Sequence, residues 1–171
     1  MKKIKNPNRN RTIVIFKPQT GNDDAAELRR FKPSSSIKII LGSDHAGFKL
    51  KEKIKLFLQR EKISYEDLGT FSEKKVDYPD FVIPVAEKVV KEKNCFGIIL
   101  GGSGEGEAIA ANKVKGARVV VIYNFDKKLI QLTKKHNDAN ILSLGARFLS
   151  EKEAVEAVEL WIKTKFSNEK N

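Results

Sequence analysis

From residue 37 onward the chain alternates short apolar runs with amphipathic segments. The apolar runs have the length and composition of buried strands, and they cover residues 37–42, 63–68, 96–100, 117–123 and 141–144. Apolar residues at helical spacing predict helices over residues 48–60, from residue 79, over 107–113 and 126–136, and after a capping box formed by Ser150 and Glu153. Strands that alternate with helices imply a parallel sheet with helices on both faces, so the pattern predicts a doubly wound α/β domain over residues 37–171.

The first 36 residues lack this alternation. We predict a basic extension that is partly disordered, with residues 1–12 unstructured, a short strand at 12–16, a short helix at 23–31 and a linker at 33–36. This extension has nine Lys or Arg residues against three Asp or Glu, which gives it +6 of the chain's net charge of +11. We place the domain boundary at the linker.

Composition excludes several classes of protein. No apolar run approaches the roughly 20 residues that a membrane span requires, and the N-terminus lacks the apolar core of a signal peptide. A single cysteine, Cys95, excludes an internal disulfide, so we expect a cytoplasmic protein with Cys95 as a small core residue. The basic charge favours phosphorylated metabolites or nucleic acid, but no zinc spacing or aromatic–basic pattern supports specific nucleic-acid binding. The sequence also contains no ligand cluster that would predict a metal or another cofactor.

A glycine-rich turn, Gly-Gly-Ser-Gly-Glu-Gly-Glu over residues 101–107, joins the third predicted strand to a helix. Backbone N–H groups in such a turn point outward at a helix N-terminus, which favours an anion. The turn lacks the Gly-Lys-Ser/Thr of a P-loop, and no acidic residue closes the next strand to hold a ribose, so neither nucleotide motif applies. The alternative is a tight turn that only allows the helix to pack on the strand.

Glu107 and Ser103 give this turn its candidate chemistry. A carboxylate at Glu107 can remove a proton from a carbon next to a carbonyl while the amides stabilise the enediolate oxygen. Ser103 can pass a proton between neighbouring oxygens, or its hydroxyl can simply satisfy the turn. We therefore predict Glu107 as a general base.

Other polar residues follow the predicted strands, where ligands bind in parallel sheets. Asp44 can orient an imidazole or hold sugar hydroxyls, or it can cap the first helix. Arg147 can bind a phosphate through two hydrogen bonds, or it can be a solvated surface charge. The chain has two histidines, His45 and His136, a residue type that can donate or accept a proton in catalysis, and we place both, together with Asn137, in the same crevice.

Five motifs resemble the type B ribose-5-phosphate isomerases, a family that includes the galactose-6-phosphate isomerase subunits. They lie, in order and at the expected spacings, at residues 42–48, 77–79, 101–107, 110–113 and 136–140. The resemblance runs from residue 37 to 166. It implies a Rossmann-like, flavodoxin-like parallel sheet of five strands in the order 2-1-3-4-5, and a homodimer, or alternatively a tetramer, with sites at the subunit interface. It further implies interconversion of ribose 5-phosphate and ribulose 5-phosphate through a cis-enediolate, without a cofactor.

The resemblance also implies a role for individual residues. Many family members have a catalytic cysteine at the position of Gly101, whereas this chain resembles the branch that uses a glutamate at the position of Glu107. The implied catalytic residues are Glu107, Ser103, His136 and Asp44, with the last two opening the furanose ring. The implied substrate-binding residues are Tyr78 and Asn137 at the sugar, His45 and Arg147 at the phosphate, and Gly102, Gly104, Glu105 and Gly106 in the anion hole.

Two departures from the family pattern leave other functions open. They are a missing C-terminal tail and the first 36 residues, which the family lacks. Family members usually continue into a His/Arg-rich tail that binds phosphate, and this sequence stops at residue 171, about where that tail would begin. We expect the phosphate-binding site to be incomplete. Basic residues of the N-terminal extension either complete this site or have no part in it. The alternatives are a non-catalytic sugar-phosphate-binding relative, an isomerase of hexose 6-phosphates and, as the weakest, a nucleic-acid binder that uses the basic extension.

Overall fold

The predicted alternation of strands and helices is present in the structure, a computed structural model that describes residues 2–6, 11–18 and 37–167. Its strands are β1 (Lys2–Asn6), β2 (Arg11–Phe16), β3 (Lys38–Ser43), β4 (Ser64–Asp67), β5 (Cys95–Gly101), β6 (Val119–Ile122) and β7 (Ile141–Gly145). Its helices are α1 (Phe48–Arg60), α2 (Pro79–Lys91), α3 (Glu105–Ala111), α4 (Lys127–Lys135) and α5 (Glu151–Lys163). The helix predicted at 23–31 and the linker at 33–36 lie outside the described residues.

The strands of the described ranges form one sheet in the order β1-β2-β4-β3-β5-β7-β6. The strands from β3 to β7 are parallel, and β1 and β2 are antiparallel at one edge. The predicted order of the five parallel strands, 2-1-3-4-5, is therefore wrong at its last two places. The last strand, β7, lies next to β5, and β6 forms the edge.

Burial and handedness explain the observed order. Every residue of β7 is buried, whereas the first three residues of β6 are only partly covered, as is usual for an edge strand. Right-handed crossovers place α3 and α4 on opposite faces when the chain passes from β5 out to β6 and then back to β7. Accordingly, α3 packs beside α2 on one face, and α4 packs beside α5 and its neighbour α1 on the other.

The N-terminal extension takes part in this sheet. The strand predicted at 12–16 is confirmed as β2, which pairs with β4 between Val14 and Asp67 and between Phe16 and Tyr65. The rings of Phe16 and Tyr65 stack with their centroids 5.5 Å apart. The prediction of disorder is wrong for residues 2–6, which form β1, because an edge strand offers unpaired backbone groups to any segment that can pair with them. The domain boundary itself stays a prediction.

Two apolar layers hold the sheet rigid. One layer packs α1, α4 and α5 on the sheet around Trp161, and the other packs α2 and α3 around Ile99. Each fully buried apolar side chain of this size stabilises the fold by about 1.5–3 kcal/mol. The capping box predicted for Ser150 and Glu153 is confirmed at the start of α5. None of the described helices is long and apolar enough to cross a bilayer.

Candidate active site

The glycine-rich turn follows the carboxyl end of β5, between the ends of two neighbouring strands. On one side, Leu100 is in register with Ser43 of β3, and on the other, Gly101 is in register with Gly145 of β7. The turn leads directly into α3, which begins at Glu105. The loops after three adjacent parallel strands therefore meet at this point, as expected for a ligand site in such a sheet.

The Glu107 carboxylate is buried against the backbone of Gly101. Only 4% of Glu107 is exposed, and a Cβ atom at Gly101 would overlap with the carboxyl group. Burial raises the pKa of Glu107, and the negative charge of Asp44 raises it further, while hydrogen bonds from the backbone N–H groups of Glu107 and Gly104 offset part of the increase. A carboxyl group with a raised pKa is suited to accept a proton near neutral pH.

Besides the Glu107 N–H, two amides in the turn are already engaged by side chains. Gly104 donates to the Glu107 carboxylate, and the Glu105 N–H donates to Ser103 Oγ at 3.3 Å. Among the described backbone hydrogen bonds, none connects the N–H groups of Gly102, Ser103 or Gly106 to a carbonyl of the protein. Of the five amides predicted to form an anion hole, over residues 102–106, these three therefore remain available as donors.

Ser143, which the sequence analysis missed, forms a hydrogen bond to the backbone of the turn. Ser143 is fully buried in β7, and its hydroxyl donates to the Gly104 carbonyl at 2.7 Å. Gly104 has a φ of +82°, a left-handed conformation that favours glycine. The signal in the sequence was a serine within the apolar run 141–144, since a buried hydroxyl requires a partner.

Asp44 and His45 lie at the end of β3, beside the turn. Asp44 Oδ1 accepts a hydrogen bond from the Gly47 N–H at 2.8 Å, and its Oδ2 lies 3.9 Å from His45 Nδ1. The N–H of Val76 donates to His45 Nδ1 at 3.4 Å. This contact leaves Nε2 to carry the proton of the neutral imidazole, so His45 presents a donor rather than an acceptor.

A buried ion pair fixes the segment next to Asp44. Lys51 and Asp67 are both fully buried, with Lys51 Nζ 2.5 Å from Asp67 Oδ1 and 2.7 Å from the Thr70 carbonyl. The backbones of Ser43 and Thr70 are joined by a hydrogen bond of 2.8 Å from the Thr70 N–H. This pair could not be predicted from the sequence, because a lysine in an amphipathic helix usually lies in solvent.

Tyr78 and Arg147 both lie close to the turn, at different glycines. A Cβ at Gly106 would lie 3.3 Å from Tyr78 Cζ, and a Cβ at Gly102 would lie 3.2 Å from Arg147 Cζ. The Arg147 N–H also donates to the Gly102 carbonyl at 3.0 Å. The structure thus brings several predicted residues together around the glycine-rich turn. They come from the loops after β3 and β7, and Tyr78 joins them from the loop before α2.

His136 and Asn137 are not part of this cluster within one chain, contrary to the prediction. Helix α4 runs back toward the amino ends of the parallel strands, and His136 lies at the end of this helix. Strand β7 begins at these amino ends with Ile141, which is in register with Gly97. The register from Gly97 to Gly101 corresponds to about 13 Å of strand, so the two residues lie at the opposite edge from the turn. The prediction failed because it treated the end of a helix as if it were the end of a strand.

Cys95 lies at the same amino edge and is confirmed as a buried residue. Its thiol is 7% exposed and donates to Glu92 Oε2 at 3.4 Å, and burial raises its pKa to about 11. Such a thiol is a poor nucleophile. Among the described residues, no group of three or more His, Cys, Asp or Glu side chains could hold a metal ion.

Comparison with known proteins decides the family. The family model described as "Ribose/Galactose Isomerase" matches residues 39–171. The chain belongs to the ribose/galactose isomerase family. It is 40% identical over 132 residues to ribose-5-phosphate isomerase B of Mycolicibacterium paratuberculosis, which covers 77% of this chain and 82% of that protein.

Two solved structures resemble this member of the isomerase family. Ribose-5-phosphate isomerase B of Clostridium thermocellum is 42% identical, with a TM-score of 0.73, over 78% of this chain and 88% of the other. The enzyme of Mycoplasma genitalium, solved with bound ribulose 5-phosphate, is 35% identical, also with a TM-score of 0.73, and covers the same shares. The family that the motifs implied is thus confirmed, and so is an α/β fold, although not the strand order 2-1-3-4-5.

The contact between Gly101 and Glu107 predicts the effect of one added methyl group. In Gly101→Ala, the new Cβ would occupy the position of the carboxyl group, so the Glu107 side chain has to move away. We expect turnover to fall roughly 100-fold, the loss that follows from misplacing a catalytic group by about an ångström. Steady-state kinetics combined with thermal unfolding would test this, and a folded variant with undiminished turnover would contradict the placement of the base.

Proposed function

We propose that this member of the family interconverts ribose 5-phosphate and ribulose 5-phosphate, with Glu107 as the base. The observation that carries the proposal is the Glu107 carboxylate, which is buried in the space left by Gly101 beside three available backbone donors. The relatives named ribose-5-phosphate isomerase B, one of them with bound ribulose 5-phosphate, support the choice of substrate.

The proposed reaction moves one proton between two neighbouring carbons. Glu107 takes the proton from C2 of the open aldehyde, the C2–H electron pair forms the C1–C2 double bond, and the electrons of the carbonyl move onto O1. The N–H groups of Gly102, Ser103 and Gly106 stabilise the negative charge on O1, and donors of this kind are each worth about 3–4 kcal/mol in other enzymes. The Glu107 carboxyl group then returns the proton to C1.

The two oxygens exchange a proton in the same step. The C2 hydroxyl loses its proton as the ketone forms, and O1 gains one, so that the reaction balances without a further reactant. The Ser103 hydroxyl lies in the turn and accepts the Glu105 N–H, which leaves its own proton free to move between the two sugar oxygens. We assign this relay to Ser103. Asp44 acts earlier, with His136, in opening the furanose ring.

The remaining predicted residues bind the two ends of the substrate. In our proposal, Tyr78 contacts the sugar, while Arg147 and the Nε2 donor of His45 bind the phosphate. These roles are the ones that the family resemblance implies for these positions. Whether basic residues of the extension assist at the phosphate stays a prediction.

We propose that a second copy of the chain completes the site. His136 and Asn137 lie at the far edge of the sheet from the turn of their own chain, so they reach a sugar only if they serve the turn of another subunit. The family resemblance implies a homodimer with interfacial sites, which gives these two residues that position. In this arrangement, His136 opens the furanose ring and Asn137 binds the sugar.

A substrate panel tests the proposed function. We expect the purified full-length chain to convert ribose 5-phosphate to ribulose 5-phosphate, and to convert galactose 6-phosphate and allose 6-phosphate more slowly, if at all. Binding of ribose 5-phosphate in calorimetry without turnover would instead identify a non-catalytic sugar-phosphate-binding protein. Preferred turnover of a hexose 6-phosphate would change the substrate but preserve the chemistry.

The raised pKa of Glu107 predicts opposite effects of pH on activity and on stability. Glu107 is a base only when it is ionised, so activity falls as the pH drops through a pKa that lies above 4.5. The folded state binds this proton more tightly than the unfolded chain does, so the free energy of unfolding decreases as the pH rises through the same range. We expect Glu107→Gln to be more stable than the native protein at about pH 8, and the difference to vanish below about pH 4.

Urea unfolding of both proteins at several pH values would measure this difference. A variant that is less stable than the native protein throughout the range would show that the buried carboxylate stabilises the fold, contrary to the account given above.

A further inference from the structure

Lys134 of α4 is a buried lysine that the proposed reaction does not use. Only 4% of it is exposed, and its Nζ lies 3.5 Å from the centroid of the Phe96 ring and 4.1 Å from that of Trp161. These two rings are nearly perpendicular, at 83°, so they form a corner around the amine. Cation–π contacts of this kind favour a positive charge, while burial lowers the pKa of Lys134 to about 7.

Among the described residues, the amine donates to one acceptor, which lies in the turn that carries His136. Lys134 Nζ donates to the carbonyl of Ala139 at 2.8 Å, and Ala139 is fully buried. Charged and neutral amines both keep hydrogens to donate, so this bond persists across the neutral pH range. The charged groups that act on Lys134 are Asp138, which favours its ammonium form, and Arg118, which opposes it.

The same turn is held from the solvent side by Arg118. Its Nε donates to the Asp138 carbonyl at 2.7 Å, and its Nη2 lies 2.7 Å from Asp138 Oδ2. Asp138 has a φ of +46°, which reverses the chain between the helix and β7. The backbone N–H groups of Asp138 and Ala139 donate back into the end of α4. His136 and Asn137 therefore sit on a short segment that is fastened on its buried side by Lys134 and on its exposed side by Arg118.

We propose that Lys134 is a positioning residue, which fixes the turn so that His136 and Asn137 reach the active site of a second subunit. The inference rests on the proposed function, because it assigns Lys134 to the half of the site that opens the sugar ring. A lysine enclosed between two aromatic rings costs desolvation that a methionine of similar length would avoid. The hydrogen bond from Lys134 Nζ to the Ala139 carbonyl offsets part of this cost.

The variants Lys134→Met, Lys134→Arg and Lys135→Met test the proposal in the full-length protein. Lys134→Met keeps the apolar stem and removes the donor, Lys134→Arg keeps donors between the rings, and Lys135→Met is the matched control, since Lys135 is the exposed neighbour on the same helix. We expect kcat to fall roughly 10- to 100-fold in Lys134→Met, to recover at least in part in Lys134→Arg, and to stay unchanged in Lys135→Met.

A deuterium isotope effect separates positioning from general damage. With ribose 5-phosphate deuterated at C2, a slower ring opening hides the proton transfer, so the isotope effect in Lys134→Met should be at or below that of the native protein. A larger isotope effect would mean that Glu107 has been disturbed, and it would overturn the proposal. Mixing Lys134→Met with Glu107→Gln should restore activity, because in the mixed dimer both defects fall in one site and the other site has neither, and failure to restore it would equally overturn the proposal.

Arg118→Met covers the case in which Lys134→Met does not fold. The Arg118 side chain is 46% exposed, so its loss leaves the core intact while it loosens the same turn. We expect a lower kcat with an isotope effect no larger than that of the native protein. Native turnover in Arg118→Met, together with an unfolded Lys134→Met, would contradict the positioning role. Absence of isomerase activity in the native protein would instead refute the proposed function itself.

Discussion

Glu107→Gln should lose roughly 10³- to 10⁴-fold in kcat with ribose 5-phosphate, the upper range of what a general base contributes. The substitution keeps the size of the side chain and its place against Gly101 but removes the carboxylate that we assign to accept the C2 proton. The KM should change little, because the amides and the phosphate-binding residues stay in place. A coupled assay that removes ribulose 5-phosphate as it forms would measure both constants.

Glu156→Gln is the matched control for this change. Glu156 lies on α5, away from the turn, and its side chain is 44% exposed, so the same loss of one negative charge should leave turnover unchanged. Equal turnover of Glu107→Gln and Glu156→Gln would remove Glu107 from the mechanism. Parallel loss in both variants would point to net charge rather than to a base.

Two inactive variants should regain activity when they are mixed. Glu107→Gln damages the turn of its own chain, and His136→Ala damages only the residue that we assign to the neighbouring site. In a mixed dimer, one site then has both defects and the other has neither. Since half of randomly formed dimers are mixed, we expect about a quarter of the native activity, provided that subunits exchange.

The mixing experiment distinguishes a shared site from two independent ones. Co-expression of the two variants with different purification tags, followed by isolation of the mixed species, would give the activity per site. If the mixed dimer has no more activity than its parents, His136 either serves its own chain or has no role in the reaction. A monomer in solution would exclude the shared site as well.

Local sequence patterns predicted the elements well, because each depends on residues close in the chain. The periodicity of apolar residues located the strands and helices within about two residues at most ends, and the Ser150 capping box was found as predicted. Neighbour relations between strands were harder. The runs at 117–123 and 141–144 are both apolar, and only the partial exposure of β6 in the folded sheet shows that it forms the edge.

Candidate site residues could be proposed where chemically suited side chains directly follow a strand. Residues that support the site through hydrogen bonds to backbone groups were missed. Glu107 follows directly from a glycine turn after a strand. Ser143 and Lys134 could not be assigned in advance, because their partners, the Gly104 and Ala139 carbonyls, are backbone atoms that the sequence does not identify. The position of His136 could have been corrected by noting that a crossover helix ends at the amino edge of the sheet.

The most direct test of the account is the appearance of solvent deuterium in the product. When the reaction runs in deuterium oxide, the native protein and Glu156→Gln should form ribulose 5-phosphate with some deuterium at C1, because part of the proton held on the Glu107 carboxyl group exchanges with solvent before it reaches C1. Glu107→Gln should give none above background, although it still binds the substrate. Nuclear magnetic resonance of the product would contradict the account if it showed that Glu107→Gln incorporates deuterium at C1 at the native rate.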